Sequence, residues 1–411
     1  MRTEKAMRGK SAWVIFLLGL FLVQPFQSAW AGDWYIVPRL ELRGEYDSNI
    51  NFSFENKKDD FIFNITPSVD LNYESEITKL TGRLRLNGQV FVNNGNLDTI
   101  NQYYDLFGQH RVAPRLALTF DGGYTLDSTL YEELFASGFV MNRTRREALR
   151  IRPGLIYDLS PRLSLGLNYG YLRVTYQDPQ FSPYFTHRVS SNIRYLLGNA
   201  KTTLYGTVLG RYTDYHSIGN LYRSLGTYVG LEHKFSEEWF LNLGGGLNFN
   251  WYSSQTAVIG TVFDPTFILV PLRATRKTFN VSPYFNIAAT RRWPNTDLTV
   301  SYNLDQAASS AGTIRQFHRV NAEIARKLTP KLRVGLQGSL YYALTTAEEE
   351  NENQRMVFYI SPGITYQITD RLSISSAYNY GLRNDIDDNR STDRHRVWVY
   401  LAYAYPIQYK K

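Results

Sequence analysis

Leu163-Ser164-Leu165-Gly166-Leu167-Asn168-Tyr169-Gly170-Tyr171 places a large apolar side chain at every second position, with a small or polar residue between each pair. A helix would return its apolar residues at i, i+3, i+4 and i+7, whereas a period of two puts all five on one face of a sheet. The rhythm recurs in Phe61, Phe63, Ile65, Pro67, Val69, Leu71 and Tyr73, and again in Trp239, Leu241, Leu243, Gly245, Leu247, Phe249 and Trp251. Strands of soluble sandwiches usually stop after about five or six residues. These runs pass ten and end in aromatic residues, which is the pattern of a transmembrane β-barrel.

The breaks between runs alternate in kind. Short ones carry turn chemistry: 74–78, 113–114, 159–162, 197–200, 236–238, 291–295, 328–331 and 368–370. Longer polar or irregular breaks fall near 47–59, 93–101, 127–144, 177–186, 214–221, 252–273, 304–314, 346–354 and 383–393. Eight short and nine long connections predict about 18 antiparallel strands in an all-β barrel, with both chain ends on the short-turn side. Outer-membrane barrels have this asymmetry, with short periplasmic turns and long extracellular loops.

Composition agrees with that class. A mean hydropathy of -0.34 leaves no room for a bundle of membrane helices, and the absence of Cys removes disulfide frameworks and Cys-ligated metals. The formal charge of +8 has bases and acids interleaved, so no nucleic-acid footprint is expected. At the start, Arg2, Lys5, Arg8 and Lys10 precede an apolar run from Ala12 to Val23, followed by Ala29-Trp30-Ala31. This predicts a signal peptide over 1–31, cleaved after Ala31, and a barrel over 32–411 placed in the outer membrane. The apolar run is too short to span a bilayer, which takes roughly 20 residues.

Alternation assigns the faces. The outward set is apolar, with Trp239 and Trp251 at opposite ends of one strand. The inward set is expected to contain Arg39, Arg43, Arg83, Arg85, Arg150, Arg152, Arg188, Arg194, Arg211, Arg319, Arg333, Arg394 and Arg396, facing fewer acids: Glu41, Glu45, Asp70, Asp121, Glu232 and Glu323. Wall cross-linking accounts for part of these bases, and the excess predicts a positive lumen. Lipid-facing arginine at the bilayer midplane would cost about 2–4 kcal/mol each, which favours the inward assignment. Tyr205, Tyr228, Tyr284, Tyr341, Tyr359 and Trp398 fall on the same inner face, where they could stack sugars or pack against the wall. A pore this wide holds water and calls for a constriction. Two candidates are the apolar 130–135 segment and the loop 252–273, which either folds inward or extends as a two-stranded hairpin.

No catalytic motif is present. The six histidines are scattered, no G-x-S-x-G or phosphate-loop pattern occurs, and the acidic runs 348–352 and 385–388 lack calcium-loop spacing. No enzyme activity, metal or cofactor is expected.

Pro38-Arg39-Leu40-Glu41-Leu42, then Tyr46-Asp47-Ser48-Asn49-Ile50, and Asp60-Phe61-Ile62 leading to Thr66-Pro67-Ser68-Val69, resemble the opening of the outer-membrane β-barrel porins associated with exopolysaccharide export. The chain departs from a usual barrel end, because Pro406-Ile407-Gln408-Tyr409-Lys410-Lys411 follows the last run. The resemblance implies passage of an exopolysaccharide, preferably anionic, with periplasmic and inner-membrane export proteins as partners. The residues alone leave two other readings open: a general diffusion porin for small anions, and a surface barrel that anchors polysaccharide without transport. In each case the surroundings are outer-membrane lipids and lipopolysaccharide.

Overall fold

The computed structural model of the protein describes residues 32–129, 143–261, 269–345 and 354–409. Its strands are β1 (Asp33–Asp47), β2 (Asp60–Glu74), β3 (Thr78–Phe91), β4 (Thr99–Ala113), β5 (Leu116–Ser128), β6 (Arg145–Ser160), β7 (Leu163–Tyr176), β8 (Tyr184–Leu196) and β9 (Thr202–Tyr215). They continue as β10 (Asn220–Lys234), β11 (Trp239–Thr261), β12 (Leu269–Trp293), β13 (Thr296–Ala308), β14 (Ile314–Lys327), β15 (Leu332–Thr345), β16 (Arg355–Gln367), β17 (Leu372–Asp385), β18 (Arg390–Ala404) and the short β19 (Ile407–Tyr409). Each long strand pairs antiparallel with the next, and β1 pairs with β18, closing an 18-strand barrel of the outer-membrane type. Closure gives each long strand a partner on both sides, as a bilayer demands because lipid cannot satisfy backbone N–H and C=O groups; among the described residues the exception is the long-loop half of β12, which has no β13 partner beyond Phe285.

The unusual chain end is absorbed into this closure. Pro406 interrupts pairing for lack of an N–H, and β19 resumes it beside β1, with Trp34 opposite Tyr409 and Ile36 opposite Ile407. The eight short turns share one rim with both ends of the described chain. The long-loop rim differs in detail from the sequence expectation. The 383–393 break shrinks to a turn between Asp385 and Arg390, and most of 252–273 is strand. There β11 and β12 remain paired up to Thr261 opposite Leu269, so the described backbone takes the hairpin alternative. The apolar 130–135 segment and residues 1–31, where a signal peptide is expected, lie outside the described residues.

Faces follow the period of two. Phe63, Ile65, Val90, Val189, Val229, Phe279 and Val399 are among the exposed apolar residues that form the lipid-facing belt. Arg291 lies 4.7 Å from the Trp239 ring centre and 4.3 Å from that of Trp293 at the short-turn boundary, where an amphipathic cation–ring cluster suits the headgroups.

The inner face is polar over most of its height but turns apolar near the long-loop rim, because loops fold in to cover it. Ile50 seats on Ile62 and Phe91, and Phe52 seats on Tyr341, Val357 and Tyr359. β13 also turns inward. Its pairing with β12 stops at Leu304 opposite Phe285. Beyond that point the Gln306 carbonyl accepts Arg211 Nη1 at 2.9 Å, and the Gln306 side-chain oxygen accepts the Tyr222 hydroxyl at 2.6 Å. The end of β13 therefore lies across the inner face of β9 and β10.

Candidate functional site

The strand register places all thirteen of the sequence-selected arginines, and all six aromatic residues, on the luminal face. Many of the arginines are tied down by acids on the same or neighbouring strands. Arg39 and Arg83 share Asp70 at 3.0 and 2.6 Å, Arg150 bridges Asp105 at 3.1 Å and Asp121 at 2.8 Å, and Arg194 meets Glu232 at 2.6 Å. Arg43 bonds Glu45, Arg396 lies 3.9 Å from Glu45, and Arg394 Nε donates to the buried Asp47 at 2.9 Å. These pairs stitch the wall, and the solvated ones add little stability each, about 0–1 kcal/mol.

A second group is different. Arg85, Arg152 and Arg188 are exposed to the lumen and have no ion pair among the described residues. Arg85 lies over the Tyr103 ring at 4.1 Å. Arg188 stands directly opposite Arg211 across β8 and β9, a like-charge cross-strand pair that costs stability. Arg152 flanks the same Gly170, where a Cβ would make ordinary contact at 3.7 Å with Arg152 Cγ and 3.6 Å with Arg188 Cβ, so the two side chains run side by side over that position. Three guanidiniums on β6, β8 and β9 thus line one stretch of lumen, with Asp305 on the inward-turned end of β13 close enough to act on Arg188 and Arg211. Such a row attracts anions and presents planar donor forks suited to carboxylate or phosphate. Arg319 lies 5.0 Å from the Phe317 and Tyr341 ring centres, and Arg333 lines a cavity with Glu323.

The long-loop mouth is narrowed by two loops that sequence reasoning did not single out. In the 48–59 loop, Phe52 is 1% exposed, its carbonyl accepts Arg383 Nη1 at 3.4 Å, and Ser53 O accepts the Thr392 hydroxyl at 2.8 Å. In the 309–313 loop, Tyr215 donates its hydroxyl to Thr313 O at 2.9 Å, Asn220 donates to Gly312 O at 3.1 Å, and Ser182 N donates to Ser310 O at 2.7 Å. Between the loops lie three buried arginines: Arg315, Arg355 and Arg383. Arg355 Nη2 donates to Asp385 at 2.9 Å and Arg383 reaches the same carboxylate at 3.3 Å. Their signal was hidden because they sit at strand ends, where the alternation fades into polar loop sequence.

Under the 48–59 loop is a luminal cavity of about 600 Å³, lined by Tyr359, Trp398, Arg396, Asn379, Ser361 and Thr365 among others. The aromatic residues are engaged by wall neighbours. Tyr359 faces Phe52 with ring centres 6.1 Å apart, Tyr228 packs on Tyr284 at 4.1 Å, and Tyr205 donates to Asn242 at 3.0 Å. Trp398 has Arg43 and Arg396 over its ring at 5.0 and 5.5 Å. Among the described residues no group of three His, Asp or Glu is placed to hold a metal ion.

Comparison with known proteins adds the following. The family model described as "Putative MetA-pathway of phenol degradation" matches residues 270–392, from β12 into β18. No curated protein matches the chain in sequence. Similar solved structures include the outer-membrane channel DcaP of Acinetobacter baumannii, at 12% identity and a TM-score of 0.44, covering 92% of this chain and 99% of that one. OccK1 (OpdK) of Pseudomonas aeruginosa is similar at 12% identity and a TM-score of 0.47, covering 91% and 99%. OpdO of Pseudomonas aeruginosa is similar at 12% identity and 0.46, covering 91% and 98%.

Proposed function

We propose that the protein is a diffusion channel of the outer membrane, selective for small anions. The observation that carries this reading is the row Arg152, Arg188 and Arg211, whose guanidiniums repel one another across adjacent strands around Gly170. Asp305 is one acid against these three bases, so the surplus positive charge left facing the lumen is best accounted for by the anions it draws in. Small solutes suit the mouth, since Phe52 and the 309–313 loop occupy space that a polymer would need. The polysaccharide-export reading rests on the resemblance of the first two strands, and no luminal contact favours it over the anion channel.

The test is ion selectivity in planar bilayers. The reversal potential in a salt gradient should report anion preference, and Arg152→Gln with Arg188→Gln should reduce that preference while the barrel still folds. Cation preference in the unaltered protein would refute the proposal.

A further inference from the structure

The five histidines that lie in strands share two features. His110, His187, His233, His318 and His395 all fall on the outward parity of their strands, in line with exposed lipid-facing residues such as Val112, Val189, Val229, Val320 and Val397. In every one, Nδ1 meets a hydroxyl. At the long-loop boundary the partners are Tyr169 for His187 at 2.7 Å, Tyr302 for His318 at 3.0 Å and Tyr378 for His395 at 2.7 Å. At the short-turn boundary they are Thr78 for His110 and Thr202 for His233, both at 2.8 Å. A phenol is a better acid than a neutral imidazole, so the tyrosine hydroxyl donates to Nδ1 and the ring proton stays on Nε2. The hydroxyl thereby aims an N–H donor away from the wall at the depth where aromatic belts meet headgroups.

One of these positions is built further. Across β10, β9, β8 and β7 runs a single outward ladder: Arg223 opposite Tyr212, Tyr212 opposite His187, and His187 opposite Tyr171. Two residues further along β7 is Arg173, opposite Phe185. The ring centres of Tyr171, Phe185 and Tyr212 lie 5.3, 5.4 and 6.2 Å from that of His187, and Arg223 sits 5.8 Å from the Tyr212 ring. Arg173 and Arg223 are exposed on the lipid side. Such arginines are tolerable near an interface, where the cost falls to about 0–1 kcal/mol, and not at the bilayer midplane. The single acid placed on this ladder is Asp214, one rung towards the loops, which accepts the Tyr212 hydroxyl at 3.4 Å. Among the described residues, Nε2 of His187 has no protein partner, whereas Nε2 of His395 already meets Asp393 at 3.2 Å.

We infer that Arg173, His187 and Arg223 form a lipid-facing site for a phosphate of outer-leaflet lipid A, with Tyr171, Phe185 and Tyr212 as its apolar floor. Two cations and one oriented N–H around a flat aromatic patch offer what a phosphorylated amphiphile needs: charge-assisted bonds to its head and ring faces beside its acyl chains. The site is separate from the lumen, on the opposite face of the wall from Arg188.

The experiment uses the full barrel purified from membranes and stripped of lipid, then exposed to detergent micelles containing bis-phosphorylated lipid A, with retention counted by native mass spectrometry. Arg173→Gln with Arg223→Gln, and separately His187→Phe, should each lower retention by about tenfold or more. Fully dephosphorylated lipid A should be retained no better by the unaltered protein than by the variants. Heat-modifiable migration on a gel establishes that each variant is folded, and a variant that fails it is replaced by the milder Arg223→Gln alone. Undiminished retention in folded variants would overturn the site. So would equal retention of the dephosphorylated lipid, or a change confined to association of the barrel with a second copy.

Discussion

Arg188 on β8 stands directly opposite Arg211 on β9, and nothing in the pairing pattern requires it. Opposed like charges on a sheet face destabilise by up to about 1 kcal/mol. Arg188→Gln should therefore raise the barrel's resistance to thermal unfolding while lowering its anion preference. Gel mobility after graded heating reads the first effect, and bilayer reversal potentials read the second. A variant less stable than the parent would show that Arg188 is held by attraction, not tolerated against repulsion.

Phe52 holds the 48–59 loop inside the mouth by packing on Tyr341, Val357 and Tyr359. Its backbone has φ of 52°, a conformation uncommon outside glycine, so the seat must compensate for local strain. Phe52→Ala should remove about 3–5 kcal/mol of packing from that seat and release the loop. Single-channel conductance should rise and become noisier. Unchanged conductance would mean that the loop does not bound the passage.

The same loop is tied on its outer side by Lys57, which bonds Asp393 at 2.5 Å above the outer aromatic belt. That bond, helped by His395, holds the Asp393 carboxyl below its ordinary value of 3.8. A depressed carboxylate contributes stability above the unfolded value and loses it as pH falls through the folded one. Channel noise should accordingly stay flat from neutral pH down to about 4 and grow only below it. Lys57→Gln should move the onset to higher pH, and an onset unaffected by that change would contradict the tether.

Much of this molecule is legible from alternation. The period of two along Leu163 to Tyr171 fixes strand, face and membrane class together, and turns such as 159–162 set the strand count by their regular spacing. The lumen is less legible. Alternation puts Arg152 and Arg188 on the inner face, but only the register shows that both flank Gly170. The constriction was hidden for a physical reason. Apolar content drew attention to 130–135 and 252–273, whereas the loop that enters does so on two buried apolar anchors, Ile50 and Phe52, set among polar residues, with backbone carbonyls whose bonds to Arg383 and Thr392 cross more than 300 positions in the chain. The chain end misled similarly, because Pro406 looks like a stop although β19 resumes pairing after it.

Removal of residues 407–411 tests that closure. It would expose the Trp34, Tyr35 and Ile36 backbone on the β1 edge, which lipid cannot satisfy. The truncated chain should reach the membrane in smaller yield and unfold at a lower temperature. Equal yield and equal heat resistance would mean that β18 alone seals the barrel.

The most direct test of the anion-channel account is the zero-current potential of the purified barrel in a planar bilayer under a potassium chloride gradient. At ionic strengths near 0.1 M or lower, where the field of an exposed charge extends about 10 Å or more before it is screened, the account predicts chloride preference that weakens as salt is raised towards 1 M. It also predicts that preference largely disappears in Arg152→Gln with Arg188→Gln. Potassium preference at low salt, or chloride preference that survives the double substitution unchanged, would contradict it.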